Sequence, residues 1–176
     1  MRRNLIAVFM AGLAIFILSG CGNDTSTGNP EADKILDEMK FENAETLGPI
    51  ARKMMALSFK GKWEEIWDML PKKMHESMEQ GWTAAKASPV DNEDKKLANE
   101  AGSAKEYFAK MFEKEKKSEE DMINDMKDED SKYEVVREEF SDDGNTGWII
   151  VKYLKTSEEK KKFNFTKEDG EWKMGW

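Results

Sequence analysis

The chain has 176 residues, a formal net charge of −8, one cysteine and one histidine. A chain with this excess of negative charge repels phosphate backbones, so the composition argues against a nucleic-acid-binding protein. A single cysteine excludes an intrachain disulfide framework and a metal site built from several thiolates.

Residues 1–20 have the build of a secretory signal, in which two arginines precede an apolar run from Leu5 to Leu18. The run is too short to span a bilayer comfortably. It ends in Leu-Ser-Gly-Cys, which resembles the lipobox of bacterial lipoproteins, where small residues precede a cysteine that a lipid transferase alkylates. The resemblance implies a mature chain that begins at Cys21, with diacylglycerol on the sulfur and often a third acyl chain, such as palmitate, on the amino group. An uncleaved membrane anchor and a plain secretory signal are the alternatives.

A lipidated Cys21 predicts attachment to a membrane of the bacterial cell envelope. Two or three acyl chains are needed for lasting attachment, because one chain holds only weakly. Gly22 stands where enteric-type bacteria use aspartate as the signal for inner-membrane retention. The outer membrane is therefore the expected destination in a host with two membranes. Removal of two arginines from the 28 basic residues leaves 26 against 36 acidic residues, so the mature chain has a net charge of −10.

Residues 21–30 are predicted to be a flexible tether, because the stretch GNDTSTGNP is small and polar. As a flexible coil it would span roughly 16 Å. Residues 31–176 are long enough for a single domain with its own core.

Helical spacing of apolar residues begins soon after the tether. ETLGPIARKMMALSF is predicted to be a helix that Gly61 ends, with Pro49 tolerated in its first turn. KWEEIWDMLP is predicted to be a short amphipathic helix that Pro71 ends or restarts.

Residues 83–131 are predicted to be a charged, mostly helical segment. The interval 83–100 has few apolar anchors and is predicted to be a loop or a weak helix. Ser103 and Glu106 have the spacing of a capping box, which predicts a helix start before an apolar face. The stretch KSEEDMINDMKDEDSK is predicted to be a charged surface helix.

From Lys132 onward, the period changes to that of strands. Four antiparallel strands are expected: KYEVVREEF, WIIVKYLK, KKFNFT and EWKMGW. The pair Asp169 and Gly170 suits a tight hairpin turn. The second strand has apolar residues on both faces, so it needs cover from helices on one side and, as one candidate, from a partner subunit on the other. Helices followed by a meander predict an α+β domain.

A helical segment and the last two predicted strands resemble segments of a known protein family. ARKMMALSFKGKWEEIWDMLPKKM is similar to the start of small bacterial lipoproteins of unknown function in the nuclear-transport-factor-two-like (cystatin-like) superfamily. KKFNFTKEDGEWKMGW is similar to the closing hairpin of that superfamily, with Trp172 and Lys173 in the last strand. The resemblance covers roughly residues 43–82 and 103–176. It implies N-terminal helices packed on a curved C-terminal antiparallel sheet to form a cone, often with an apolar pocket and often dimeric through the sheet. The insertion at about 83–131 departs from the pattern.

A cone of this kind allows two functions. The first is a non-catalytic module that binds a ligand or a protein through an aromatic pocket. The candidates for its lining are Trp63, Trp67, Phe108, Trp148, Tyr153 and Trp172. The alternative interpretation of the same rings is that they fill the core.

The second function is a small-molecule enzyme of the ketosteroid isomerase or dehydratase type, which would need a base inside the cone. Tyr133, Glu134 and Tyr153 lie in predicted strands and are candidates to line such a cavity. No catalytic residue of those enzymes can be matched to a position in this chain. We therefore expect a binding or interaction module without chemistry of its own.

Metal binding has weak candidates. Met74, His75 and Met78 form a group that a helix could bring together as soft ligands for monovalent copper, although methionines four residues apart are more often core filler. The acidic run at 119–130 lacks the loop glycine of an EF-hand. No cofactor is expected. The expected partners are the membrane, through the lipid anchor, and an apolar small molecule or a protein, with a homodimer through the sheet face left open.

Overall fold

The computed structural model describes residues 25–130 and 132–175. The predicted signal peptide, Cys21 and the first part of the predicted tether lie outside the described residues, as do Ser131 and Trp176. Within the described ranges, seven α-helices precede a four-stranded antiparallel sheet, so the predicted α+β class is confirmed. Among these helices, none is both long enough and apolar enough to cross a membrane.

The described helices are short, and a 3₁₀ turn at Phe41–Asn43 separates the first from the second. In chain order they are α1 (Pro30–Asp37), α2 (Gly48–Lys60), α3 (Trp63–Asp68), α4 (Lys72–Lys86), α5 (Glu93–Glu100), α6 (Ala104–Glu115) and α7 (Glu119–Lys127). The strands follow as β1 (Tyr133–Phe140), β2 (Thr146–Tyr153), β3 (Glu159–Glu168) and β4 (Glu171–Gly175). Their order in the sheet is the order along the chain.

Local chemistry sets the helix ends where the sequence predicts them. Helix α2 carries Pro49 in its first turn and ends at Gly61, whose φ of +72° is the left-handed conformation that glycine adopts easily. Ser103 caps α6 by accepting from the Glu106 N–H, and the Glu106 carboxylate accepts from the Gly102 N–H at 2.7 Å. The predicted capping box is therefore confirmed, with its return bond displaced by one residue.

The interval 83–100, predicted to be a loop or a weak helix, contains the end of α4 and all of α5. Asn92 caps α5 by accepting from the Lys95 N–H. The two helices pack with α6 around a second, smaller core whose buried residues are Ala85, Ala98, Ala101 and Tyr107. Trp82 donates its indole N–H to the Ala98 carbonyl at 2.9 Å. The alanine side chain is a single methyl group, so an alanine in the sequence gives little indication that its position is buried.

The inner face of the sheet forms one wall of the main core. Its buried side chains are Tyr133, Val135, Ile149, Val151, Phe163, Phe165 and Met174. Asp169 and Gly170 join β3 to β4 with φ of +53° and +87°, which confirms the predicted hairpin turn. The alternation predicted for β3 is also confirmed, since Phe163 and Phe165 are both buried.

The outer face of the sheet is covered by charged side chains of the same chain. Ile150 points to this face and is only 3% exposed. Its register partners are Arg137 on β1 and Lys161 on β3. Arg137 pairs with Glu139 at 2.9 Å and with Glu159 at 2.6 Å. The aliphatic stems of long charged residues bury apolar surface in this way, so β2 gains cover on both faces without a second subunit. The homodimer stays a prediction.

Two glycines in helices offer a matched test of the contact between the start of α2 and the 3₁₀ turn at Phe41–Asn43. A Cβ added at Gly48 would lie 2.5 Å from the Phe41 carbonyl oxygen, whereas a Cβ at Gly81 would meet nothing within 4 Å. We expect Gly48→Ala to lower the free energy of unfolding by about 1–2 kcal/mol, because the backbone of the 3₁₀ turn must move. Gly81→Ala should raise it by about 0.5–1 kcal/mol through helix propensity. Urea unfolding of both variants measures this, and a stabilising Gly48→Ala would contradict the contact.

Candidate functional site

Three of the six predicted pocket residues meet in a filled aromatic cluster. Trp63 and Trp67 on α3 pack against α6, where Phe108 and Phe112 join them. The ring centroids of Trp67 and Phe108 are 5.5 Å apart, those of Phe108 and Phe112 are 4.7 Å apart, and those of Trp63 and Phe112 are 5.1 Å apart. All four side chains are buried. In this cluster, the rings fill the space that a pocket would need.

The other three predicted pocket residues lie elsewhere, so the six do not surround one common cavity. Trp148 is on the outer face of the sheet, with the Lys161 ammonium 3.9 Å from its ring centroid. Trp172 is on β4, next to the partly exposed Phe140, with ring centroids 5.5 Å apart. Tyr153 is at the end of β2, beside Tyr133. Alternation in a strand assigns a side chain to a face, but it does not say which other elements reach that face.

An open surface groove of about 560 Å³ lies beside Trp63, between the start of α3 and α6. Its floor includes Trp63 and Ala109, and its charged rim is formed by Lys62, Glu64, Glu65, Glu106, Lys110 and Glu113. Glu113 accepts the indole N–H of Trp63 at 3.1 Å. With four carboxylates against two ammonium groups, the rim attracts cationic groups rather than anions.

The three weak candidates for copper ligands are used in packing. The His75 ring stacks on Trp67 with centroids 4.4 Å apart, and its Nε2 lies 2.8 Å from the Trp67 carbonyl oxygen near the end of α3. Met74 and Met78 pack against the main core. In the part of the chain that the structure describes, no three or more His, Cys, Asp or Glu side chains are placed to hold a metal ion.

A lysine and two tyrosines meet at the end of the sheet, in what we call the lysine corner: Tyr133, Tyr153 and Lys162. Lys162 donates to the Tyr153 hydroxyl at 2.9 Å. Its ammonium lies 4.6 Å from the ring centroid of Tyr133 and 5.1 Å from that of Tyr153. Among the described residues, no carboxylate pairs with it. Tyr133 and Tyr153 were candidates from the sequence, whereas Lys162 was not.

A β-bulge turns Lys162 toward the tyrosines. In the pairing of β2 with β3, Ile149 faces Phe163 and Ile150 faces Lys161, so Lys162 is the extra residue. If the side chains of β3 alternated strictly, Phe163 would point to the inner face of the sheet and Lys162 to the outer face, with the other charged residues. Nothing in the sequence of β3 marks the bulge, because the residue inserted into the ladder is neither a glycine nor a proline.

Burial without a counter-ion changes the acid–base chemistry of the lysine corner. Desolvation lowers the pKa of Lys162 to about 8. Burial also raises the pKa of Tyr133 well above its usual value, with a smaller contribution from the charge of Tyr153. The corner therefore holds a lysine that is partly neutral near pH 8, next to the Tyr133 phenol, which keeps its proton.

Residues 25–29 of the predicted tether hydrogen-bond to the domain, whereas residues 21–24 lie outside the described residues. Thr27 donates its backbone N–H and its hydroxyl to Asp33 Oδ1, at 2.6 and 2.8 Å, and Ser26 donates to Asp33 Oδ2 at 2.7 Å. Asn29 caps α1 by accepting from the N–H groups of Glu31 and Ala32. We call residues 25–29 the docked segment. Ser, Thr and Asn side chains form hydrogen bonds with nearby backbone groups, which is why a small polar stretch can form a cap instead of a coil.

Arg52 holds the start of the docked segment from the other side. Its guanidinium is buried, donates from Nε to the Thr25 carbonyl at 3.1 Å, and pairs through Nη2 with Asp37 at 3.0 Å. Burial alone would raise the pKa of Asp33, but the hydrogen bonds from Ser26 and Thr27, together with the charge of Arg52, lower it.

Removal of the Asp33 carboxylate should release the docked segment. We expect Asp33→Ala to speed amide hydrogen exchange at Thr27 about tenfold or more, because hydrogen bonds to a charged acceptor contribute roughly 1.5–3 kcal/mol. Glu31→Ala is the matched control, since Glu31 lies on the same helix but pairs with Lys127. Because the pKa of Asp33 is lowered in the folded chain, docking should persist above its ordinary pKa of 3.8 and be lost as the pH falls below that value. Equal exchange in both variants would contradict the role of Asp33.

Comparisons with known proteins add no relative. A scan against protein-family models, a search of curated proteins and a search of solved structures each gave no match to this chain.

Proposed function

We propose that this chain is a lipid-anchored lipoprotein of the bacterial cell envelope, whose α+β domain acts as a non-catalytic binding or interaction module close to the membrane surface. The lipobox-like ending at Cys21 supports the anchor. The placement of the domain close to the membrane is supported by the docked segment, which begins four residues after Cys21.

Chain geometry limits how far such a domain can stand from its anchor. A fully extended chain advances at most about 3.3–3.6 Å per residue, so Cys21 and Thr25 can be no more than about 14 Å apart. A lipidated Cys21 would lie at the membrane interface, and Arg52 and Asp33 tie the docked segment to helices α2 and α1. The surface around Arg52 and the start of α1 would then stay near the bilayer.

The packing of the domain supports binding at its exterior. The aromatic cluster leaves its rings in mutual contact, whereas the groove beside Trp63 is open at the surface and has an acidic rim. A groove of this kind suits a cationic peptide or a basic surface of a protein partner. The cone-shaped fold of the nuclear-transport-factor-two-like superfamily belongs to the proposal as well, and the helices that precede an antiparallel meander support it.

Lipidation is tested by Cys21→Ser in the full chain, expressed in bacteria that are fed an alkyne-tagged palmitate. We expect the parent chain to take up the label and to sediment with membranes, and the variant to do neither. Asn23→Ala, two residues further along, should leave both readouts unchanged. A Cys21→Ser chain that still carries the label would overturn the anchor.

The position of the domain is tested separately. In the lipidated chain, Glu38→Cys supplies a thiol for a fluorophore beside Asp37, and the bilayer carries a quencher on its lipid head groups. We expect strong quenching, which an insertion of ten Gly and Ser residues before Thr25 should largely abolish. Equal quenching with and without the insertion would refute close placement while leaving lipidation intact.

A further inference from the structure

The lysine corner has the parts of a covalent binding site. Lys162 brings an amine, and Tyr153 brings a hydroxyl 2.9 Å from that amine. Both side chains are partly exposed, and the exposed connection between β2 and β3 follows Tyr153 directly. Reagents from solution can therefore approach the corner while the buried ring of Tyr133 supplies an apolar wall.

We propose that Lys162 captures small carbonyl compounds, such as aldehydes, as imines, with the Tyr153 hydroxyl as the proton donor. This inference does not depend on lipidation or on the groove beside Trp63. It is carried by the bulge at Lys162, by the contact between the amine and the hydroxyl, and by the lack of a carboxylate partner for the amine among the described residues.

The reaction balances with the groups in the corner. The lone pair of the neutral Nζ adds to the carbonyl carbon, and the carbonyl oxygen takes a proton from Tyr153. The nitrogen returns a proton to the phenolate, which leaves a carbinolamine and a neutral tyrosine. Loss of the carbinolamine hydroxyl with a second nitrogen proton releases one water and forms the imine. No oxidant or reductant takes part.

Lys162 differs from the neighbouring Lys160 on β3 in the fraction of its amine that is neutral. With a pKa of about 8, roughly a tenth of Lys162 is neutral at pH 7, compared with about one molecule in three thousand for an ordinary lysine. Lys160 is two residues away and also approaches the Tyr153 ring, at 5.6 Å, but it is exposed and pairs with Glu158 at 2.8 Å. That hydrogen bond and its charge raise the pKa of Lys160. Lys160 is therefore an internal control.

The test uses the full chain in detergent with benzaldehyde and cyanoborohydride, which reduces each imine to a stable adduct for peptide mass spectrometry. At pH 7.5 we expect Lys162 to be modified about tenfold faster than Lys160, since the gain in neutral amine is partly offset by lower intrinsic nucleophilicity. The rate at Lys162 should level off near pH 8, and in urea the two lysines should react alike. Equal rates in the folded chain would overturn the proposal.

A variant separates proton donation from simple exposure. Tyr153→Phe keeps the ring and removes the hydroxyl, so we expect it to slow modification at Lys162 several-fold while leaving Lys160 unchanged. Modification of Lys162 at the parent rate would refute the role of Tyr153. Because the first comparison uses the unaltered chain, an unstable variant leaves the main test intact.

Discussion

Phe108→Ala should lower the free energy of unfolding by about 3–5 kcal/mol, the usual cost of removing a fully enclosed aromatic ring. The Phe108 side chain is 0% exposed and contacts both Trp67 and Phe112. Its removal would open a cavity lined by rings that cannot move together easily. Guanidinium unfolding, followed by tryptophan fluorescence and by circular dichroism, measures the change.

Phe140→Ala is the matched control, because the same atoms are removed from a side chain that is 42% exposed. Phe140 on β1 contacts Trp172 on β4, and we expect a cost of about 1 kcal/mol or less. The comparison also tests the filled core. If Phe108→Ala cost no more than Phe140→Ala, the ring would border an empty volume, and the pocket hypothesis for the aromatic cluster would gain support.

Lys162→Met should stabilise the domain by about 2 kcal/mol at pH 7, because a partly buried ammonium that has no carboxylate partner among the described residues is replaced by an apolar side chain of similar length. The gain should shrink as the pH rises. The pKa of Lys162 is about 8 in the folded chain and 10.5 ordinarily, so between these values the unfolded chain binds more protons and the parent gains stability with pH. Below pH 8 the difference between variant and parent should be constant.

The groups around Lys162 define the useful pH range. Tyr133 on β1 and Tyr153 on β2 face it, and Lys160 lies on its own strand. The raised pKa of Tyr133 works in the opposite direction, but only near and above pH 10, where the unfolded phenol ionises first. Urea unfolding at pH 7 and 9.5 is therefore the measurement, with Lys160→Met as the control that should show little pH dependence. A gain from Lys162→Met that is as large at pH 9.5 as at pH 7 would contradict the lowered pKa.

Several elements could be predicted because their signals are local. The end of α2 at Gly61, the cap at Ser103 and the turn at Asp169 and Gly170 each depend on the conformational or hydrogen-bonding preferences of one or two residues. The alternation of Phe163 and Phe165 needed only the period of a strand. Attachment to a membrane was likewise inferred from a short motif that ends at Cys21, and it stays a prediction.

The candidate site could not be predicted in the same way. The sequence indicated six aromatic residues for one pocket, but three of them packed together in the core and three lay at separate places on the sheet. The docked segment was hidden for a similar reason, since its partners Asp33 and Arg52 are 6 and 27 residues away from the groups that they bind.

Capping, turn chemistry and hydrophobic period act over a few residues, so the types and the order of most elements can be predicted from the amino-acid sequence. Which side chains meet depends on contacts between residues that are distant in the chain. The bulge at Lys162 shows the reason: one extra residue in the ladder redirects a side chain to the tyrosines, and its placement depends on the register between two strands rather than on the residue itself.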